Sequence, residues 1–129
     1  MIASLIKQFH HVKLDVQDLE KSIEFYCNVL EFIEIVRYHV SEDHIIVQVS
    51  STGQPPGIEL WYEKPYKGLN NDRLHLALEV RNTTLLVERL RHLGVFIERE
   101  PFQIGSEIIA VIRDPDNYLI ELNQNIGIS

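Results

Sequence analysis

His11-Val12-Lys13-Leu14-Asp15-Val16 reads His-x-x-Leu-x-Val, and His75-Leu76-Ala77-Leu78-Glu79-Val80 repeats that pattern. A second pair follows in the same order, with Ile58-Glu59-Leu60 returning as Ile120-Glu121-Leu122. Each His-bearing stretch precedes a helix-like segment, and each Ile-Glu-Leu triplet closes its half. Two copies of a long unit are too few for a solenoid and point to a duplicated module.

The elements around these stretches repeat as well. Residues 9–16 alternate in the manner of a strand. Asp18 is a fitting N-cap, and the spacing of Leu19, Ile23, Tyr26, Cys27 and Leu30 predicts a helix over 19–30. Strands are expected at 31–38, 45–49 and 57–63. The second half gives a strand at 73–80 and a helix at 83–93 that ends at Gly94. Strands at 95–99, 108–112 and 117–123 follow, with a tight turn at Asp114-Pro115-Asp116-Asn117, where Asn117 tolerates positive φ. Each half is therefore βαβββ. The expectation is an α+β fold over residues 1–129, one domain made of modules 8–63 and 73–124. Its helices cover one face of each sheet, and the other faces curve into a cleft.

Strand parity assigns the polar residues. Val12, Leu14 and Val16 take the helix side, and so do Leu74, Leu76 and Leu78. His11, Lys13 and Asp15 oppose the first set, and Arg73, His75 and Glu79 the second. In the closing strands Glu59 and Glu121 fall on the side away from the helices. If the sheets share a cleft, His11, Glu59, His75 and Glu121 meet there. Two imidazoles and two carboxylates suit one borderline divalent ion, whether Zn, Ni, Co, Fe or Mn. An octahedral ion would keep two open positions. Such an ion polarises a carbonyl or holds an enediolate, while a neighbouring carboxylate moves a proton. His10 has helix-side parity and reads as structural or strand-edge. His39 reads as a turn residue, His92 as a helix-terminal cation, and His44 as the start of a strand that lines the cleft.

Composition narrows the partners. The chain has 129 residues with 19 acidic and 12 basic side chains, a net charge of −7, so nucleic acid and anionic membranes are unsuited partners. No apolar run approaches the ~18 residues of a membrane span. One cysteine, Cys27, cannot form an internal disulfide and reads as a buried thiol. A cytoplasmic protein with a small-molecule substrate is the expectation.

The stretch from His11 to Tyr26 resembles the opening signature of the vicinal oxygen chelate superfamily, which holds glyoxalase I, extradiol dioxygenases, fosfomycin-modifying enzymes and bleomycin-binding proteins. Asp114 to Leu122 resembles its closing signature. The resemblance covers about residues 8 to 124. It implies paired βαβββ modules and metal ligands at His11, Glu59, His75 and Glu121, the His-Glu-His-Glu set of glyoxalase I. Dioxygenases and fosfomycin enzymes use a His-His-Glu triad instead. The implied activity is that of a metal-dependent, glyoxalase-like lyase or isomerase, of the lactoylglutathione lyase kind. It would move a proton α to a carbonyl through a metal-bound enediolate, with Glu121, or Glu59 in its place, as the base. Lys13, Arg37 and Arg73 are candidate contacts for an acidic substrate group. A homodimer is implied. The alternatives within the fold are a non-catalytic binding or resistance protein of the bleomycin-binding type and an extradiol-type dioxygenase.

Two departures bear on these readings. Glu31 stands where the superfamily usually has a glycine in the left-handed region, which costs about 1 kcal/mol. Asp15 and Glu63 stand where bacterial glyoxalase I carries Arg and Asn that hold glutathione. Two carboxylates there would repel the acidic ends of that thiol, so the resemblance implies a retained metal centre without the glutathione site.

Overall fold

A computed structural model describes residues 5–66 and 75–127. The chain divides into two compact units, Met1–Leu69 and Asn70–Ser129. The first runs β1 (His11–Asp15), α1 (Leu19–Ile23), β2 (Ile33–Ser41), β3 (His44–Ser50) and β4 (Gly57–Glu63). The second runs β5 (His75–Glu79), α2 (Thr83–His92), β6 (Ile97–Ile104), β7 (Glu107–Arg113) and β8 (Leu119–Asn125). The βαβββ order holds in both. Arg73 and Leu74 lie outside the described residues.

Each unit forms one four-stranded mixed sheet, with order β1-β4-β3-β2 in the first and β5-β8-β7-β6 in the second. The first and last strands of a unit pair in parallel, and the rest are antiparallel. Strand parity then sorts the side chains as a period-2 pattern must. In the first unit Leu14, Val16, Tyr26, Val47, Val49 and Leu60 are buried on the helix side. In the second unit Val87, Leu90, Ala110, Ile112, Ile120 and Leu122 do the same. Fully burying one such aliphatic chain is worth about 1.5–3 kcal/mol, so these two rows supply much of what holds each helix to its sheet.

The first helix departs from the expected single α-helix over 19–30. Asp18 caps it, its carboxylate accepting from the Lys21 amide at 3.2 Å. After Ile23 the chain widens into a π-helical stretch, Glu24–Val29, where the Leu30 amide donates to the Phe25 carbonyl at 2.9 Å. In this wider turn neighbouring Phe25 and Tyr26 both turn inward, their ring centroids 5.1 Å apart. They are buried, as are Leu19 and Ser22. The α-helical spacing of Ile23, Cys27 and Leu30 gives way to this set. Cys27 is consequently half-buried rather than buried. Burial pushes its thiol pKa up, Glu34 adds to the rise, and Arg37 opposes it.

Glu31 then adopts φ 62, the left-handed region expected from its position. The Phe32 amide closes the motif on the Tyr26 carbonyl at 2.8 Å. Asn117 takes φ 67 in the turn before β8, where the buried Asp114 carboxylate accepts from the amides of Asp116 at 2.8 Å and Tyr118 at 2.9 Å.

Strand ends also shift. β2 starts later and runs further than 31–38, so His39 belongs to the strand and not to a turn. β6 extends through Pro101 to Ile104, beyond the expected 95–99. Pro101 is tolerated because β6 is an edge strand whose pairing slips between Arg99 and Phe102. Helix α2 starts at its Asn82 cap, which accepts from the Leu85 amide at 3.0 Å, and Gly94 beyond its end takes φ 84.

Candidate metal centre

Parallel pairing of the first and last strands sets the site in each unit. In the first, Lys13 lies opposite Glu59, which places His11 one step of the same face away. In the second, Ala77 lies opposite Glu121, and His75 takes the same offset. The register is therefore duplicated along with the residues. His11 Nε2 lies 3.4 Å from Glu59 Oε2, and His75 Nε2 lies 3.7 Å from Glu121 Oε1.

These two pairs differ in their surroundings. The Glu59 side chain is 11% exposed and that of His11 33%. The Glu121 side chain is 21% exposed and that of His75 51%. Gln48, opposite Glu59 on β3, donates its amide to Glu59 Oε2 at 3.0 Å. The position opposite Glu121 on β7 is Val111, which has nothing to donate. Asn123, two residues along β8, takes over by donating to Glu121 Oε2 at 3.1 Å and to Glu107 Oε1 at 3.0 Å. A different amide thus holds one oxygen of each carboxylate.

The donor chemistry fits a divalent ion. Imidazole nitrogen and carboxylate oxygen suit borderline metals with bonds of ~2.0–2.2 Å, and two such donors at a right angle on one ion lie ~3 Å apart. Among the described residues no three His, Cys, Asp or Glu side chains gather into a group able to hold a metal. Each unit provides one His–Glu pair.

The three basic residues have separate fates. Lys13 Nζ lies 3.2 Å from Asp15 Oδ1 and 4.5 Å from the Trp61 ring centroid, on the ligand face. Arg37 pairs with Val47 across the strands, on the helix side, so it is not brought to Glu59. Its guanidinium grips Glu34 at 2.8 Å and lies 3.9 Å from Glu20, and the Glu34 hydrogen bond raises its pKa further. Arg73 lies outside the described residues. His44 starts β3 and shares the ligand face, its ring 4.6 Å from that of Trp61 and its Nδ1 3.7 Å from Glu63. Gln48, Asn123 and Glu107 were not singled out from the sequence. Their parity beside a carboxylate is the signal that finds them.

The fold is that of one family. The model of the Glyoxalase/Bleomycin resistance protein/Dioxygenase superfamily matches residues 8–122, and the chain belongs to it. Within that family it is similar to the lactoylglutathione lyase of Salmonella typhimurium (strain LT2), 36% identical over 120 residues, 87% of this chain and 88% of that one. It is also similar to that of Neisseria meningitidis serogroup B, 34% identical over 122 residues, 88% of each chain. Among solved structures, the trypanothione-dependent glyoxalase I of Leishmania major superimposes with a TM-score of 0.78 at 27% identity, covering 92% of this chain and 87% of that one.

Proposed function

We propose that the chain is a metal-dependent, glyoxalase-like lyase or isomerase, with His11, Glu59, His75 and Glu121 as the ligands of one divalent ion. One observation carries the reading: the same His–Glu pair stands at the same strand register in both units. The relatives named lactoylglutathione lyase support it. Each pair completes its set with a second pair, from this chain or from a second copy, and a homodimer in the cytoplasm is part of the reading.

A bound ion supplies positive charge for an oxygen that becomes anionic when the neighbouring carbon loses a proton. The residues do the rest. Glu121 takes the proton α to the carbonyl and returns it to the adjacent carbon, a general-base role that needs a carboxylate within reach of the substrate. It is the more open of the two carboxylates, and Asn123 leaves its Oε1 facing His75. Glu59 is the more enclosed and is held by Gln48, which favours a fixed ligand that shares or takes over the proton only in its place. Asp15 and Glu63 put two carboxylates at the positions implied for thiol recognition. A thiol without the two acidic ends of glutathione fits them better.

Metal analysis of protein purified without added ions, followed by titration with Ni, Zn, Co and Mn, tests the centre. Uptake is expected, and His11→Ala and Glu121→Gln should each abolish uptake or turnover. Assay with methylglyoxal and a panel of thiols tests the reaction, with glutathione expected to be a poor partner. Unchanged uptake and turnover in both variants would overturn the reading.

A further inference from the structure

The two candidate imidazole ligands are not equally supported. His11 Nδ1 lies 2.8 Å from the Nδ1 of His10, with the rings edge to face at 79°. Its other nitrogen, Nε2, faces Glu59. The neighbour is held in place by its backbone: the His10 carbonyl accepts from the Gly57 amide at 3.0 Å, and Gly57 is the strand partner of His11. A side chain at residue 57 would place its Cβ 2.3 Å from the Val49 carbonyl oxygen, so only glycine lets β4 run this close.

A hydrogen bond between two Nδ1 atoms contains one proton, and its owner decides what Nε2 can do. The proton a neutral imidazole carries is placed by the bond its other nitrogen makes. If His10 donates, His11 carries its own proton on Nε2, aimed at Glu59, and has no lone pair there for a cation. If His11 donates, His10 Nδ1 accepts and His11 Nε2 is a bare ligand nitrogen. Histidine ligands generally send their second N–H to such an acceptor, usually a carboxylate or carbonyl. Here an imidazole fills that part. The residue before His75 is Leu74, whose side chain has no lone pair to offer.

We infer that His10 is a positioning residue, which accepts the Nδ1 proton of His11 and so presents the Nε2 lone pair to a divalent cation beside Glu59. This rests on the metal-centre reading above. The test is a zinc titration of wild type, His11→Ala, His10→Ala and His10→Asn, read by calorimetry, with 15N NMR of the imidazoles in the zinc-loaded wild type. His10→Ala should weaken zinc binding by ~10–100-fold, because Glu59 is then left as the acceptor facing the ring. His10→Asn, whose amide oxygen accepts from Nδ1, should recover most of the loss. The NMR should show His11 protonated at Nδ1 and His10 bare there. Thermal unfolding without metal should be unchanged in both His10 variants, since that ring is exposed. Zinc affinity within about twofold of wild type in His10→Ala overturns the inference. So does an Asn variant no better than Ala, or a protonated His10 Nδ1 with zinc bound. A wild type that takes up no more zinc than His11→Ala sinks the metal-centre reading itself, and the inference with it.

Discussion

The two units share an order of elements and a His–Glu register, yet they hold these candidate ligands differently. The first encloses its pair: Glu59 is buried, Gln48 bonds it from the next strand, and His10 bonds His11 from behind. The second leaves its pair open, with His75 exposed and Glu121 restrained from its own strand by Asn123. The strands beneath agree with this. Leu14 and Val16 in the first unit are fully buried, while their counterparts Leu78 and Val80 in the second are half-buried. A duplicated backbone fixes where donors stand. The side chains around them, free to differ, decide how firmly each is held. Under the function proposed above, the enclosed half suits holding an ion and the open half suits admitting a substrate.

The most severe test removes one imidazole from each half. Metal at a hundred times its Kd should stabilise the wild type by about 2.7 kcal/mol. His11→Ala and His75→Ala should each erase the corresponding rise in Tm. A His75→Ala protein that kept the full rise would break the equivalence of the halves.

Next come the loops that lead into the closing strands. Asp114 is buried and accepts two backbone amides. Its counterpart loop relies on Ser50, whose hydroxyl accepts from the Gly53 amide at 2.8 Å. Asp114→Ala should lower stability by about 3 kcal/mol and Ser50→Ala by about 1 kcal/mol in urea unfolding, following the difference between charged and neutral acceptors. The reverse order would show that the loop before β4 is the tighter one.

A smaller gain is expected at Glu31, confined to the first unit. Glu31→Gly should raise the unfolding free energy by about 0.5–1 kcal/mol, because glycine carries no penalty at φ 62. A loss of stability would show that the side chain contributes more than its backbone strain removes.

The smallest effect is one of pH and belongs to the second unit. Hydrogen bonds from Arg113 hold Glu98 below its usual carboxylate range, and those from Arg91 do the same for Glu100. A carboxylate lowered by folding stabilises above its unfolded pKa, and the contribution is lost as pH falls through the folded value. Both are solvent-exposed, so salt should screen them. In Arg91→Ala combined with Arg113→Ala, the drop in Tm between pH 6 and pH 3 should be slightly smaller than in wild type. A larger drop would reverse the sign.

Strand parity carried both halves from sequence to structure, because one buried face forces a period of two. The two His–Glu pairs were legible for the same reason: His11 and Glu59 occur in repeated contexts at His75 and Glu121. The widened turn at Phe25 and Tyr26 was not legible, since two adjacent large side chains read equally as one inside and one outside. The length of β6 was hidden by Pro101, which forbids a central strand but not an edge. Gln48 and Asn123 escaped because they do not repeat; each half restrains its carboxylate from a different strand.

The parallel pairing of β1 with β4, and of β5 with β8, gives the candidate centre a place in time as well as in space. In both units the imidazole is on the first strand and the carboxylate on the last. No partly threaded unit owns the pair, for it comes into being only when the final strand docks beside the first. Closing so long a loop is the entropically costly step. Under the function proposed above, a cation that favours the pair would act as an inspector of finished chains, binding those whose last strand has arrived and leaving the others unrewarded.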